Sequence, residues 1–119
     1  MGIKSNRVLA SYFNRFGASG TLAGAYYVVA VAHNTSPYVS VYPWTSGTGF
    51  GTKYSDPSTL PTGTGRFTAF SPDGADLAVS HSTSPYISVY PWSSGFGTKY
   101  SDPSPTPYAA LGVAFSPAA

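Results

Sequence analysis

The sequence predicts an all-β chain built from two copies of one small antiparallel unit, and three observations carry that prediction. Residues 33–44 (HNTSPYVSVYPW) recur at 81–92 (HSTSPYISVYPW) with ten of twelve positions identical, and FGTKYSDPS stands at both 50–58 and 96–104. Repetition at such a period marks stacked supersecondary units. The 13 Gly and 11 Pro among 119 residues leave little room for long helices. Finally, 42% of the residues are hydrophobic and 16% aromatic, enough for a packed core that a disordered Pro/Gly/Ser-rich chain would lack.

The elements follow from the second copy. Residues 66–71 (RFTAFS) are apolar and aromatic and predict strand A, and the SPDG that ends at Gly74 is turn chemistry, with Pro setting φ and Asp-Gly reversing the chain. Residues 77–81 (LAVSH) form strand B, and STSP at 82–85 is the next turn. Strand C spans 86–92 (YISVYPW), with Ile87 and Val89 on one face and Tyr86, Ser88 and Tyr90 on the other. After a Gly/Ser loop, 98–101 predicts a fourth strand, D, whose Lys99 and polar flanks suit an outer edge. His33 recurs 48 residues on as His81, Phe50 recurs 46 residues on as Phe96, and AFSP at 69–72 recurs at 114–117, 45 residues on. The length changes fall in Gly/Ser/Thr/Pro-rich loops, where they are tolerated.

By this alignment the first unit starts at its second strand, because residues 25–33 take the place of 73–81, and the last unit, 108–117, stops after its first strand. Residues 23–119 therefore read B-C-D, A-B-C-D, A, two complete sets of strands. Residues 1–22 read as a separate segment with Lys4, Arg7 and Arg15 and no acid. Val8, Leu9, Tyr12, Phe13 and Phe16 recur there at helical spacing, which predicts a short amphipathic helix packed over the sheets. An extra strand is the other reading, since Asn14-Arg15-Phe16 echoes Gly65-Arg66-Phe67, although the spacing to the next strand differs.

Four strands per period joined by tight turns is the pattern of a propeller blade. Residues 69–92, AFSPDGADLAVSHSTSPYISVYPW, resemble the WD40-type β-propeller repeat family, and the resemblance extends over about residues 23–119. Tyr90-Pro91 stands where that family carries Trp-Asp, and no Gly-His dipeptide precedes strand A. The SPYVSVYPW repeats also resemble those of predicted bacteriophage structural proteins, which would place the chain in a virion. The resemblance implies two four-stranded blades per chain. Propellers hold about 4 to 8 blades, so two blades cannot close a ring alone, and a head-to-tail cyclic homo-oligomer is expected. Three chains would make six blades and four chains eight. The lone strand A, with Tyr108, Leu111, Val113 and Phe115, would complete the open first blade of a neighbouring chain. The alternative is a piece of a longer repeat protein.

The residues offer little chemistry. The formal charge of +2 comes from six basic and four acidic residues, too few and too scattered for a nucleic-acid surface. No apolar run reaches the roughly 18 residues of a membrane span, and 8–13 is too short for a secretory signal, so a soluble chain without membrane contact is expected. Zero cysteines exclude disulfides, thiolate metal sites and a Cys nucleophile. The acids are Asp73 in the SPDG turn, Asp56 and Asp102 before prolines, and Asp76; a carboxylate pair would have to be assembled between repeats. His33 and His81 share one repeat position and read as turn-bonding groups before a ring of metal ligands. No catalytic residue, metal or cofactor is expected. Tyr38, Tyr42, Trp44 and Tyr54 repeat as Tyr86, Tyr90, Trp92 and Tyr100, and such aromatics belong between stacked sheets. Should Trp44 and Trp92 instead stand on a rim, each blade would carry one sugar-stacking or protein-contact site. The expected function is a non-enzymatic scaffold that self-assembles into a symmetric propeller, with a multivalent glycan-binding lectin as the alternative.

Overall fold

The computed structural model describes residues 26–118. The helix or strand expected within 1–22 lies outside them. The described chain is all-β, with two three-stranded antiparallel sheets and no helix. The first sheet takes the order β1 (Tyr26–Ala32), β2 (Val39–Thr45), β3 (Gly49–Phe50); the second takes β4 (Gly65–Phe70), β5 (Asp76–His81), β6 (Ile87–Pro91).

The described residues divide into two compact units. The smaller holds Tyr26, Tyr27 and Trp44–Gly51. Its frame is the hairpin pairing Trp44 with Phe50 and Thr45 with Gly49, closed by Thr48 N–H donating to Thr45 O at 2.9 Å. Gly47 supplies a φ of +87° in that turn, which costs a glycine nothing.

The larger unit holds Val28–Pro43 and residues 52–118, and here the repeat becomes three-dimensional. In the second sheet β4 pairs β5 with Thr68 opposite Val79 and Phe70 opposite Leu77, and β5 pairs β6 with Leu77 opposite Tyr90 and Val79 opposite Ser88. Alternation then puts Leu77, Val79, Ser88 and Tyr90 on one face and Ala78, Ser80, Ile87 and Val89 on the other. The first face meets Val39 and Val41 of β2 to form the buried core, with Trp92 completing it. Phe70, Phe96 and Tyr54 pack around Trp92, each edge-on, with ring centroids 4.9 to 5.9 Å away. That geometry suits aromatic quadrupoles.

Turn chemistry sets the register. In SPDG, Gly74 N–H donates to Ser71 O at 2.8 Å, and the Asp73 carboxylate accepts from Ser71 Oγ (2.7 Å) and Ala75 N (3.0 Å). The Ser71 hydroxyl first, and the Ala75 amide second, hold the Asp73 carboxyl below its ordinary pKa. Gly74 follows at φ +74°, a reversal suited to a twisted hairpin. The TSPY turns close twice in the same way: Tyr38 N–H donates to Thr35 O and Tyr86 N–H to Thr83 O, both at 2.8 Å around a cis Ser-Pro bond. This is the turn class with cis-Pro at its third residue. Where β4 enters, Gly65 N–H donates to His33 O at 2.9 Å, and a Cβ on Gly65 would strike Tyr38 O. Only glycine permits that approach.

Two expected strands differ from what forms. The fourth-strand segments each make a single ladder bond, Tyr54 N–H to Val41 O at 2.9 Å and Tyr100 N–H to Val89 O at 2.8 Å, and then leave the sheet. Pro follows three residues later in both copies, which removes donors and stops the ladder. The segment 108–118 forms no strand within the chain.

Candidate functional site

A groove of about 400 Å³ in the second repeat is lined by Asp76, Ile87, Val89, Tyr100, Ser101, Asp102 and Pro103. Its floor is Ile87 and Val89, the outward face of β6. Tyr100 Oη donates to Asp76 Oδ1 at 2.8 Å across one wall. This bond to a carboxylate stabilises the neutral phenol and raises the Tyr100 pKa. At the other wall Asp102 is paired with Lys99, as Asp56 is with Lys53 in the first repeat. Both carboxylates therefore have partners, and the groove is an apolar surface with a polar margin.

The repeat supplies an internal control for this surface. Val39 and Val41 are the counterparts of Ile87 and Val89, and they are 0% and 1% exposed, covered by Leu77, Val79 and Tyr90 of the second sheet. Among the described residues no second sheet covers Ile87 and Val89, and they remain half-buried. The same two positions are thus sealed in one copy and only half-buried in the other, while Ala78 and Ser80 on that face of the second sheet are buried.

The expected closure residues are largely uncovered too. Tyr108, Leu111 and Phe115 are exposed and Val113 is half-buried. The segment is anchored by Ser80 Oγ donating to Leu111 O at 3.2 Å. Ser80 stands opposite Ile87 in the β5–β6 ladder, so this anchor lies on the groove's face.

Trp92 is 9% exposed and enclosed by Tyr54, Phe70 and Phe96. Trp44, described within the smaller unit, is half-buried and meets Phe50 edge-on at 4.9 Å. The histidines bond a neighbouring strand: His33 Nε2 is hydrogen-bonded to Ser40 Oγ at 2.8 Å and His81 Nε2 to Ser88 Oγ at 2.9 Å. His81 is fully buried, and that burial pushes its pKa down. Tyr90 is equally enclosed, its Oη donates to Thr59 O at 2.7 Å, and burial pushes its pKa up to about 12. Among the described residues no group of three or more His, Asp or Glu side chains is placed to hold a metal ion, and no helix is long and apolar enough to cross a membrane.

Sequence reasoning placed Ile87 and Val89 on one strand face without seeing that this face stays open. The seven-residue His-to-Ser spacing repeats in both copies and marks the two hydrogen-bonded pairs, His33–Ser40 and His81–Ser88. No protein-family model, curated protein or solved structure matches the chain.

Proposed function

We propose that this chain is a non-enzymatic interaction module that assembles with copies of itself, head to tail, into a closed six- or eight-bladed propeller ring serving as a scaffold. The observation that carries this reading is the open face of Ile87 and Val89 beside the closed face of Val39 and Val41. An apolar face that one repeat buries under its neighbour is left for a successor sheet, and each copy can be the successor of the last. The surfaces used differ, so the contact is heterologous, and the ring form closes it. The WD40-type pattern of residues 69–92 supports the propeller geometry.

Val89→Asp tests the reading. A carboxylate in the groove is solvated in a lone chain and desolvated in the ring. By sedimentation velocity the parent chain should run as an oligomer and the variant as a monomer with an unchanged far-ultraviolet spectrum. A variant that stays oligomeric would overturn the proposed contact face.

A further inference from the structure

Strand β1 and residues 112–115 are two unfinished halves of one strand pair. In the second repeat β4 lies along β5 with Thr68 opposite Val79 and Phe70 opposite Leu77. The repeat shifts map Val79 onto Val31 and Leu77 onto Val29, and Thr68 onto Val113 and Phe70 onto Phe115. Among the described residues β1 is the edge of its sheet. Val31 is 42% exposed there, whereas Val79, protected by β4 and the core, is 0% exposed. The strand that would cover β1 has its repeat counterpart in 112–115, which pairs with nothing in the sheet order, and Phe115 is 36% exposed. Among the described residues, an edge without a partner and a segment of matching pattern without one are a liability unless they meet.

We infer that residues 112–115 of one copy add to the β1 edge of a second copy as its missing strand, antiparallel, with Val113 opposite Val31 and Phe115 opposite Val29. The inference rests on the ring reading above and specifies its contact. A second copy fits for two reasons. The pairing reproduces position for position the β4–β5 register that the chain already forms. In addition, Leu111 is anchored through Ser80 on the face that carries the groove, so strand and groove together offer the two surfaces the first sheet lacks. Main-chain bonding gives such strand addition its affinity, and the alternating side chains give it register.

The register can be trapped covalently, because the chain has no cysteine. Ser71 N–H donates to Asp76 O at 3.0 Å, and antiparallel pairs alternate, so Phe70/Leu77 and Thr68/Val79 are the narrow, non-hydrogen-bonded pairs, with Cα atoms about 4.5 Å apart. That spacing is within the roughly 4.4 to 6.8 Å that a disulfide spans. Four single-cysteine chains, Val31→Cys, Val113→Cys, Val29→Cys and Phe115→Cys, are mixed in pairs, reassembled and oxidised, with the mass of each reduced mixture measured first. The matched mixtures 31/113 and 29/115 should yield a disulfide-linked dimer at least about tenfold more than the mismatched 31/115 and 29/113, since a slipped register misaligns the pair. Oligomers that cross-link equally in all four mixtures, or in none, would overturn the strand register while leaving self-assembly standing. Mixtures that are monomeric when reduced, with a parent chain that is also monomeric, would overturn both. A chain carrying Val31→Cys and Val113→Cys together that closes on itself as a monomer would show that the strand serves its own β1 and would likewise overturn the inference. Removing residues 1–22 should leave the matched yields unchanged; a rise of severalfold would identify that segment as the occupant of the β1 edge instead.

Discussion

Val39 and Val41 in the first repeat and Ile87 and Val89 in the second are the same positions of one twelve-residue motif, yet only the first pair is sealed. Nothing in their local sequence differs enough to explain this, for valine and isoleucine have the same β preference and nearly the same burial tendency. The difference lies in what comes next along the chain. The first sheet is followed by a second, and its outward face becomes core. The second sheet is followed by a single unpaired segment, and its face becomes a groove. Burial in a repeat protein is set by the neighbour as much as by the residue.

The strongest way to break this comparison is to place the same charge in both copies. Val41→Asp should unfold the chain, because a desolvated carboxylate in the core costs more than a small domain's margin of about 5–15 kcal/mol or shifts its pKa so far that packing is lost. Val89→Asp should spare the monomer fold, as circular dichroism and denaturant melts would show. Next in size, Leu77→Ala removes a fully buried side chain and should cost about 2–5 kcal/mol in urea unfolding. Its counterpart Val29→Ala should cost less in a dissociated chain and should make the melting temperature depend on protein concentration.

A smaller effect sharpens the polar side of the comparison. Burial holds the His81 pKa below 6.5 in the fold. The folded value is thus below the unfolded one, so the fold's advantage is fully present above about pH 6.5 and is lost as pH falls through that value toward the folded pKa. Melting temperatures from about pH 8 to about pH 5 should fall in the acid half of that range, and His81→Gln should flatten the fall. Tyr90→Phe leaves Thr59 O without its donor and should cost about 1 kcal/mol. The smallest effect belongs to the exposed Lys53–Asp56 pair: Lys53→Ala should change stability by less than about 1 kcal/mol.

Much of the fold was legible because the repeat made each strand appear twice. β5, β6 and β2 emerge from alternation bounded by SPDG and TSPY, within a residue or two of their ends. Two features resisted. The fourth strand reads as a strand from its Lys, Tyr and Thr, but Tyr54 and Tyr100 each make only one ladder bond before the Asp-Pro turns, and propensity does not report where a ladder stops. The loop 59–64 carries no periodicity, yet Thr59 O accepts from Tyr90 and Thr62 Oγ1 donates to Ser84 O at 2.7 Å. Such contacts depend on tertiary placement that the local pattern does not encode. For the candidate site, the strand count predicts a closing strand over 108–117 that does not form within the chain, and the groove over Ile87 and Val89 was not legible, because exposure depends on tertiary neighbours.

Absolute mass in solution, by light scattering on a size-exclusion column, tests self-assembly most directly. Closed rings of three or four 12.4 kDa chains predict a single species of about 37 or about 50 kDa that does not change on dilution through the micromolar range. A monodisperse 12.4 kDa species at all concentrations would contradict the ring, and the open face of the second sheet would then have to be accounted for within one chain.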